Sequence, residues 1–197
     1  MATFTARPAN EVPCEHLEAV FGVRGPAHRC QCQRYKLAPG EAFRQFPPEV
    51  RAQRLRAQTD CGNPGSGTTS GLLGYLDHEP VGWCAVEPRP AYPGLLRNAR
   101  VPWEGREETK TDPAVWAVTC LFTRAGFRRR GVSKALARAS VDYARDRGAT
   151  RLEGYPMTTY ASVLEELHVG TIATFIEAGF VEVGRPTLRR AVVTVDL

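Results

Sequence analysis

The chain of 197 residues has no apolar run near the ~18 residues that a membrane-spanning helix requires. A membrane protein is therefore not expected. It also lacks the basic-then-apolar opening of a secretory signal, so a cytoplasmic location with reduced thiols is the expectation. No G-x-x-x-x-G-K-S/T occurs, which excludes a P-loop, and no G-x-G-x-x-G occurs, which excludes a dinucleotide fingerprint. No C-x2-C pair is present, so the usual ligand spacing of structural zinc is missing and no metal is expected. Internal repeats and low-complexity tracts are absent, which argues against a solenoid or a disordered chain.

What is present is ordinary in bulk and uneven in detail. Hydrophobic residues make up 43% and charged residues 24%, as in a typical globular domain. The net charge is +5, from 26 Lys and Arg against 21 Asp and Glu. That suits an anionic ligand and also permits nucleic acid. Six cysteines are spread along the chain. Cys84 and Cys120 fall inside apolar strands and read as small buried hydrophobes. Cys14, Cys30 and Cys32, with His16 and His28 nearby, read as thiols lining or supporting a pocket.

In chain order, residues 1–8 read as a loose start and Glu11–Phe21 as a helix. Cys32–Leu37 reads as a short strand. Pro47 and Pro48 open a helix that continues over Val50–Thr59 and stops at Gly62. Gly71–Leu76 and Val81–Val86 form a hairpin. Residues 87–112 are a long connection rich in proline and charge, expected over the acceptor side of a site. Trp116–Thr123 is a central strand and Val132–Arg147 a long amphipathic helix, with Gly148 as its C-cap. Arg151–Pro156 is a further strand, and Ser162–His168 a short helical piece. Thr171–Ala178 is a second helix, and Phe180–Val183 pairs with Ala191–Val195. Hairpin, strand, helix, strand, helix and hairpin together predict an α/β (α+β) fold: a mixed sheet with helices on its faces.

Between the central strand and the long helix lies a basic turn, Arg128-Arg129-Arg130-Gly131. The first amides of a helix lack intrahelical acceptors, and that end carries a partial positive charge. A diphosphate placed there meets several N–H groups at once. Gly131, without a Cβ, lets the backbone approach it closely, and arginines add bidentate hydrogen bonds.

Thr123 to Ser133, TRAGFRRRGVS, resembles the acyl-CoA-binding motif of the GNAT acetyltransferase superfamily, V-x-P-x-Y/F-R/Q-x-x-G-x-G/A. Phe127, Arg128 and Gly131 match it. Thr123, Ala125 and Ser133 depart from it, standing where Val, Pro and Gly or Ala are usual. Glu177-Ala178-Gly179-Phe180 resembles a second motif, a helix ending in a Gly-Phe turn. The resemblance covers roughly 71–197, an expected GNAT core with an acyl-CoA-binding loop over 123–134. It leaves 1–70 as a helical or irregular part of the acceptor side, within one structural domain.

The resemblance implies a mostly antiparallel sheet with a splay between two central parallel strands. It implies acetyl-CoA as acyl donor, with its pyrophosphate on the amides of Arg129 to Lys134. Leu121, Phe122, Thr123, Arg128, Arg129, Arg130, Gly131, Val132, Ser133 and Lys134 are thus the expected cofactor-binding residues. The implied reaction is direct attack of an amine on the thioester, which requires positioning, a base and charge stabilisation. Glu153, a carboxylate within an apolar strand, is the first candidate base, expected to be half-buried with a raised pKa. Glu87 and Glu104 are weaker candidates. The general acid common in the family is a Tyr four residues before the Gly of the Gly-Phe turn. Phe175 stands there, so Tyr155, Tyr160, Cys120, His168 or water is left to protonate the thiolate. Trp83, Trp103, Trp116, Tyr92 and Tyr155 are expected to form an aromatic acceptor wall.

The expected partners are acetyl-CoA and a small-molecule or peptide amine, with a homodimer left open. The alternatives are a GNAT-fold acyl-CoA sensor or interaction protein without transferase activity, and a nucleic-acid binder. The latter is disfavoured because no stacking aromatics interleave the arginines.

Overall fold

The computed structural model describes residues 2–97, 100–159 and 167–197. Seven strands form one sheet: β1 (Phe4–Pro8), β2 (Gly71–Leu76), β3 (Glu79–Pro88), β4 (Val115–Thr123), β5 (Arg151–Gly154), β6 (Val181–Thr187) and β7 (Arg190–Asp196). Their order is β1-β2-β3-β4-β5-β7-β6. Every neighbouring pair is antiparallel except β4 and β5. The helices are α1 (Cys14–Phe21), α2 (Gly25–Cys30), α3 (Pro48–Thr59), the single turn α4 (Pro93–Leu96), α5 (Val132–Asp146) and α6 (Ile172–Ile176).

Helices α5 and α6 cover one face of the sheet. On α5, Val132, Leu136, Ala137, Ser140, Val141 and Ala144 form the buried stripe, a 3.6-residue period against the sheet. Gly82 on β3 lets α5 lie close. A Cβ there would stand 2.8 Å from Val132 Cγ1 and 2.9 Å from Leu136 Cδ1. The other face is covered by α1 to α3, with Leu17, Val20, Phe21 and Leu55 packed on Leu73, Trp83 and Cys120.

Two features of β4 shape the centre. The pairing with β3 shifts between Ala85↔Cys120 and Val86↔Val118, leaving Thr119 as an extra residue. This bulge re-phases the strand. Val118 and Leu121 both enter the α5-side core, whereas Cys120 joins the α1-side core. The second feature is that β5 stops at Gly154, opposite Val118, while β4 runs on to Thr123. The parallel strands part there, as the resemblance implied.

Several expectations need correction. The N-terminal residues are not loose: Phe4–Pro8 pairs with Leu72–Leu76 as an edge strand. Cys32–Leu37 forms turns rather than a strand. Gln31 and Cys32 both have positive φ, 46° and 55°, which an extended strand cannot accommodate. Cys14 and Cys61 are not free thiols but a disulfide, joining the start of α1 to the loop after α3. Ser162–His168 lies outside the described residues except for a 3-10 turn over Leu167–Val169. Among the described residues, no helix is long and apolar enough to cross a membrane.

Candidate active site

The β4–α5 connection is built from its sequence outward. A 3-10 turn over Ala125–Phe127 follows the strand. The Phe127 ring is flanked by the guanidinium carbons of Arg124, at 5.2 Å, and Arg130, at 5.3 Å. Arg124 also pairs with Glu79. Gly131 sits at φ +79° as the N-cap of α5, and no atom lies within 4 Å of where its Cβ would be. That backbone conformation favours glycine. The open space beside it is what a close-approaching ligand requires.

The first helical bond of this turn runs from the Ala135 amide to the Gly131 carbonyl at 3.0 Å. The amides of Val132, Ser133 and Lys134 therefore lack intrahelical acceptors. Arg128, Arg129 and Arg130 are exposed and form no ion pair among the described residues. Lys134 is tied to Glu177 at 2.5 Å. Two departures from the family motif compensate each other here. The hydroxyls of Thr123 and Ser133 lie 3.1 Å apart, joining the end of β4 to the first turn of α5.

A cavity of about 990 Å³ runs from this turn along the unpaired end of β4. Leu121, Phe122, Thr123, Arg128 and Ser133 line it, with Cys30, Cys32 and Cys120 deeper in and His168 at its side. The Cys32 and Cys120 thiols influence one another. That interaction, ahead of burial, lowers the Cys32 pKa and raises that of Cys120 well above its usual value. The opposite wall comes from α1 to α3 and the segments joining them, including Phe21, Arg24, Phe43 and Arg51.

The candidate catalytic residues do not converge. His168 faces the cavity, and its ring lies 6.5 Å from that of Tyr35. Glu153 and Tyr155 are fully buried away from it, each with 0% exposure. Glu153 is not half-buried, as expected, but enclosed by cations. Arg89 reaches its Oε1 at 3.2 Å, and Arg106 contacts both carboxylate oxygens. The Tyr155 hydroxyl donates to Glu153 Oε2 at 2.8 Å. Burial raises the Tyr155 pKa well above its usual value.

This network explains where the long connection goes. Arg89, Arg106 and Glu108 cluster over Glu153, while Arg89 also donates to the Thr109 and Lys110 carbonyls. The Trp103 ring lies beneath Arg89, Arg106 and Lys110. Described residues of 87–112 do not line the cavity. This is a correction to the expectation that the connection covers the acceptor side. Glu104 pairs with Arg100 on the surface. Glu87 is bound to Lys36, and burial raises its pKa.

The expected aromatic wall is also corrected. Trp83, Trp103, Trp116, Tyr92 and Tyr155 are all core residues, and none lines the cavity. The rings that do are Phe21, Phe43, Phe122 and Phe127. Phe175 is fully buried, edge-to-face with Phe180 at 5.0 Å. Tyr160 lies outside the described residues. Among the described residues, no group of three His, Cys, Asp or Glu is placed to hold a metal ion.

A sheet with one splayed parallel pair, and a basic turn capping the helix that follows, defines a GNAT-type α/β fold. The model of the acetyltransferase (GNAT) family matches residues 35–159, and the chain belongs to that family. Comparison with curated protein sequences finds no match. Among solved structures, an acetyltransferase from Thermus thermophilus aligns over 100% of both chains at 17% identity and a TM-score of 0.52. An N-acetyltransferase from Staphylococcus aureus aligns over 99% of both at 11% identity and 0.54. The PaiA N-acetyltransferase from Thermoplasma acidophilum, in complex with coenzyme A, aligns over 99% of both at 11% identity and 0.52. At these identities the likeness is one of fold.

Proposed function

We propose that this protein is an N-acetyltransferase that moves the acetyl group of acetyl-CoA to an amine by direct attack. One observation carries the reading. The cavity joins the start of a helix, where Arg128 and Ser133 line it and the first amides lack intrahelical acceptors, to the edge of a strand that has lost its parallel neighbour. In our reading the pyrophosphate takes the amides of Val132, Ser133 and Lys134, with Arg128, Arg129 and Arg130 supplying charge. Gly131 leaves room for it. The pantetheine arm follows β4 as an added half-strand, bonded through the backbone of Leu121 and Thr123, with Phe122 between them. The family match and a fold neighbour that holds coenzyme A support this use.

The thioester then lies beside Cys120 and His168. An ammonium has no lone pair, so attack requires removal of a proton. We assign that transfer to His168, the candidate that faces the cavity. Glu153, held by two arginines, is better suited to anchoring the connection than to accepting a proton from bulk solvent. Cys120, whose pKa is raised well above its usual value by Cys32 and by burial, is too weak an acid for the leaving thiolate, so water returns that proton in place of the missing tyrosine.

The test is CoA release from acetyl-CoA across a broad amine panel, read alongside acetyl-CoA binding. Turnover with at least one amine, together with one acetyl-CoA bound per chain, is expected. Tight binding with no turnover on any amine would instead make the protein an acyl-CoA-binding module.

A further inference from the structure

The cavity wall opposite β4 has an unusual charge balance. Arg24, Arg29, Arg34, Arg44 and Arg51 all line it, and the described lining includes no Asp or Glu. A transferase for polyamines or other polycations would be expected to present carboxylates at this wall. This one presents the opposite sign.

Arg51 is the informative member. It is 7% exposed, on α3, and forms no ion pair among the described residues. One terminal nitrogen donates to the Arg29 carbonyl and the other to the Phe43 carbonyl at 2.7 Å. Among the described residues, its buried Nε has no hydrogen-bond partner. Its guanidinium carbon lies 3.5 Å from the Phe43 ring centre, and that of Arg34 lies 5.0 Å from the same ring. Two like charges thus share one aromatic ring.

Among the described residues, no neighbour supplies the missing anion. Cys30 is beside Arg51, but burial raises its pKa, so it is a neutral thiol near neutral pH. Glu49, two positions away, is exposed and makes no ion pair with Arg51. A guanidinium does not deprotonate in a protein. Leaving it buried without a counter-charge is costly unless something else provides one.

Resting on the transferase reading, we propose that the acceptor is an amine that carries its own anion, a carboxylate or a phosphate, which docks on this arginine wall. The anion would sit against Arg51 and Arg34 near Phe43, with the amine directed across the cavity toward Cys120 and His168. Bidentate pairing with guanidinium suits both anions.

Matched pairs test it on the full chain with acetyl-CoA. Phenylalanine is compared with phenylalanine amide, and phosphoethanolamine with ethanolamine, with spermidine as the cationic control. At least a tenfold higher kcat/KM for the anionic member of one pair is expected, and the pair that shows it identifies the anion. Arg51→Met and Arg34→Gln should erase that preference through KM while acetyl-CoA affinity stays unchanged. Should Arg51→Met fail to fold, Arg34→Gln combined with Arg44→Gln makes the same test at less buried positions. Equal rates within both pairs, faster reaction of spermidine, or a preference surviving the variants would overturn the proposal. If acetyl-CoA binds but no amine reacts, thermal shifts of the CoA-bound protein by the same pairs decide it by the same criterion. Failure of acetyl-CoA to bind at all would sink the transferase reading instead.

Discussion

Arg89 and Glu153 form an ion pair, Nη1 to Oε1 at 3.2 Å, with both side chains fully buried. Residue 89 lies just past the end of β3 and residue 153 on β5, so the pair fastens the long connection to the sheet. Removing one partner of such a pair strands a buried charge, at a cost of about 3–5 kcal/mol. Glu153→Gln should therefore lower the melting temperature by roughly 10 °C for a chain of this size. Any fall in activity should track the unfolding. An unchanged melting temperature with collapsed kcat would return Glu153 to the role of catalytic base.

Phe175 fills the place where the strands part. A Cβ on Gly154 would stand 2.5 Å from its ring, and one on Gly170 would stand 2.9 Å away. Gly154→Ala should cost about 1–3 kcal/mol by overpacking. Adding Phe175→Leu should recover part of that loss, because the two sites share one space. Denaturant midpoints of the single and double variants measure it, and strict additivity would contradict this packing.

Cys32 should be the most reactive thiol at the site. Its pKa is lowered first by its interaction with Cys120, which outweighs the opposing effect of burial, and then by the charge of Lys36. Those of Cys30, Cys84 and Cys120 are raised. The thiolate is the nucleophile, so alkylation of Cys32 should rise with pH and level off below the ordinary thiol range. Labelling of the other three should still be climbing there. Mass spectrometry after limiting iodoacetamide reads the order directly, and acetyl-CoA should protect Cys32. Labelling of Cys84 first would contradict the assignment.

The Cys14–Cys61 disulfide closes a separation of 47 residues. Constraints of that length stabilise by about 2–4 kcal/mol. Cys14→Ser, or reduction under native conditions, should lower the denaturant midpoint accordingly. No change on reduction would mean that the bond is not formed in solution.

Much of the architecture was legible in the sequence because it rests on local pattern. The Val132–Arg147 stripe, the Gly71–Val86 hairpin and the turn at Arg128–Gly131 all follow from period, glycine and charge. What was hidden depends on partners distant in sequence. Phe4–Pro8 becomes a strand only because β2 offers it an edge. Cys14 and Cys61 meet only after α1 and α3 pack on the same face. Glu153 was visible as an unusual carboxylate in an apolar strand, yet the arginines around it come from 89 and 106. The same holds for the cavity. Its β4 side was marked by the motif, whereas its arginine wall is gathered from residues 24–51, where no period signals a site. The Thr123–Ser133 contact is the instructive middle case: two mismatches to the motif, ten residues apart, that make sense as a pair.

The most direct test is a calorimetric titration of acetyl-CoA into the native chain and into Gly131→Trp, with melting temperatures compared in parallel. Gly131 has open space beside it and a left-handed backbone, so a bulky side chain there should block the phosphate site first. One acetyl-CoA per native chain, and at least a hundredfold weaker binding to a variant that remains folded, is the predicted result. Equal affinity in the two proteins would mean that acyl-CoA does not bind at the start of α5.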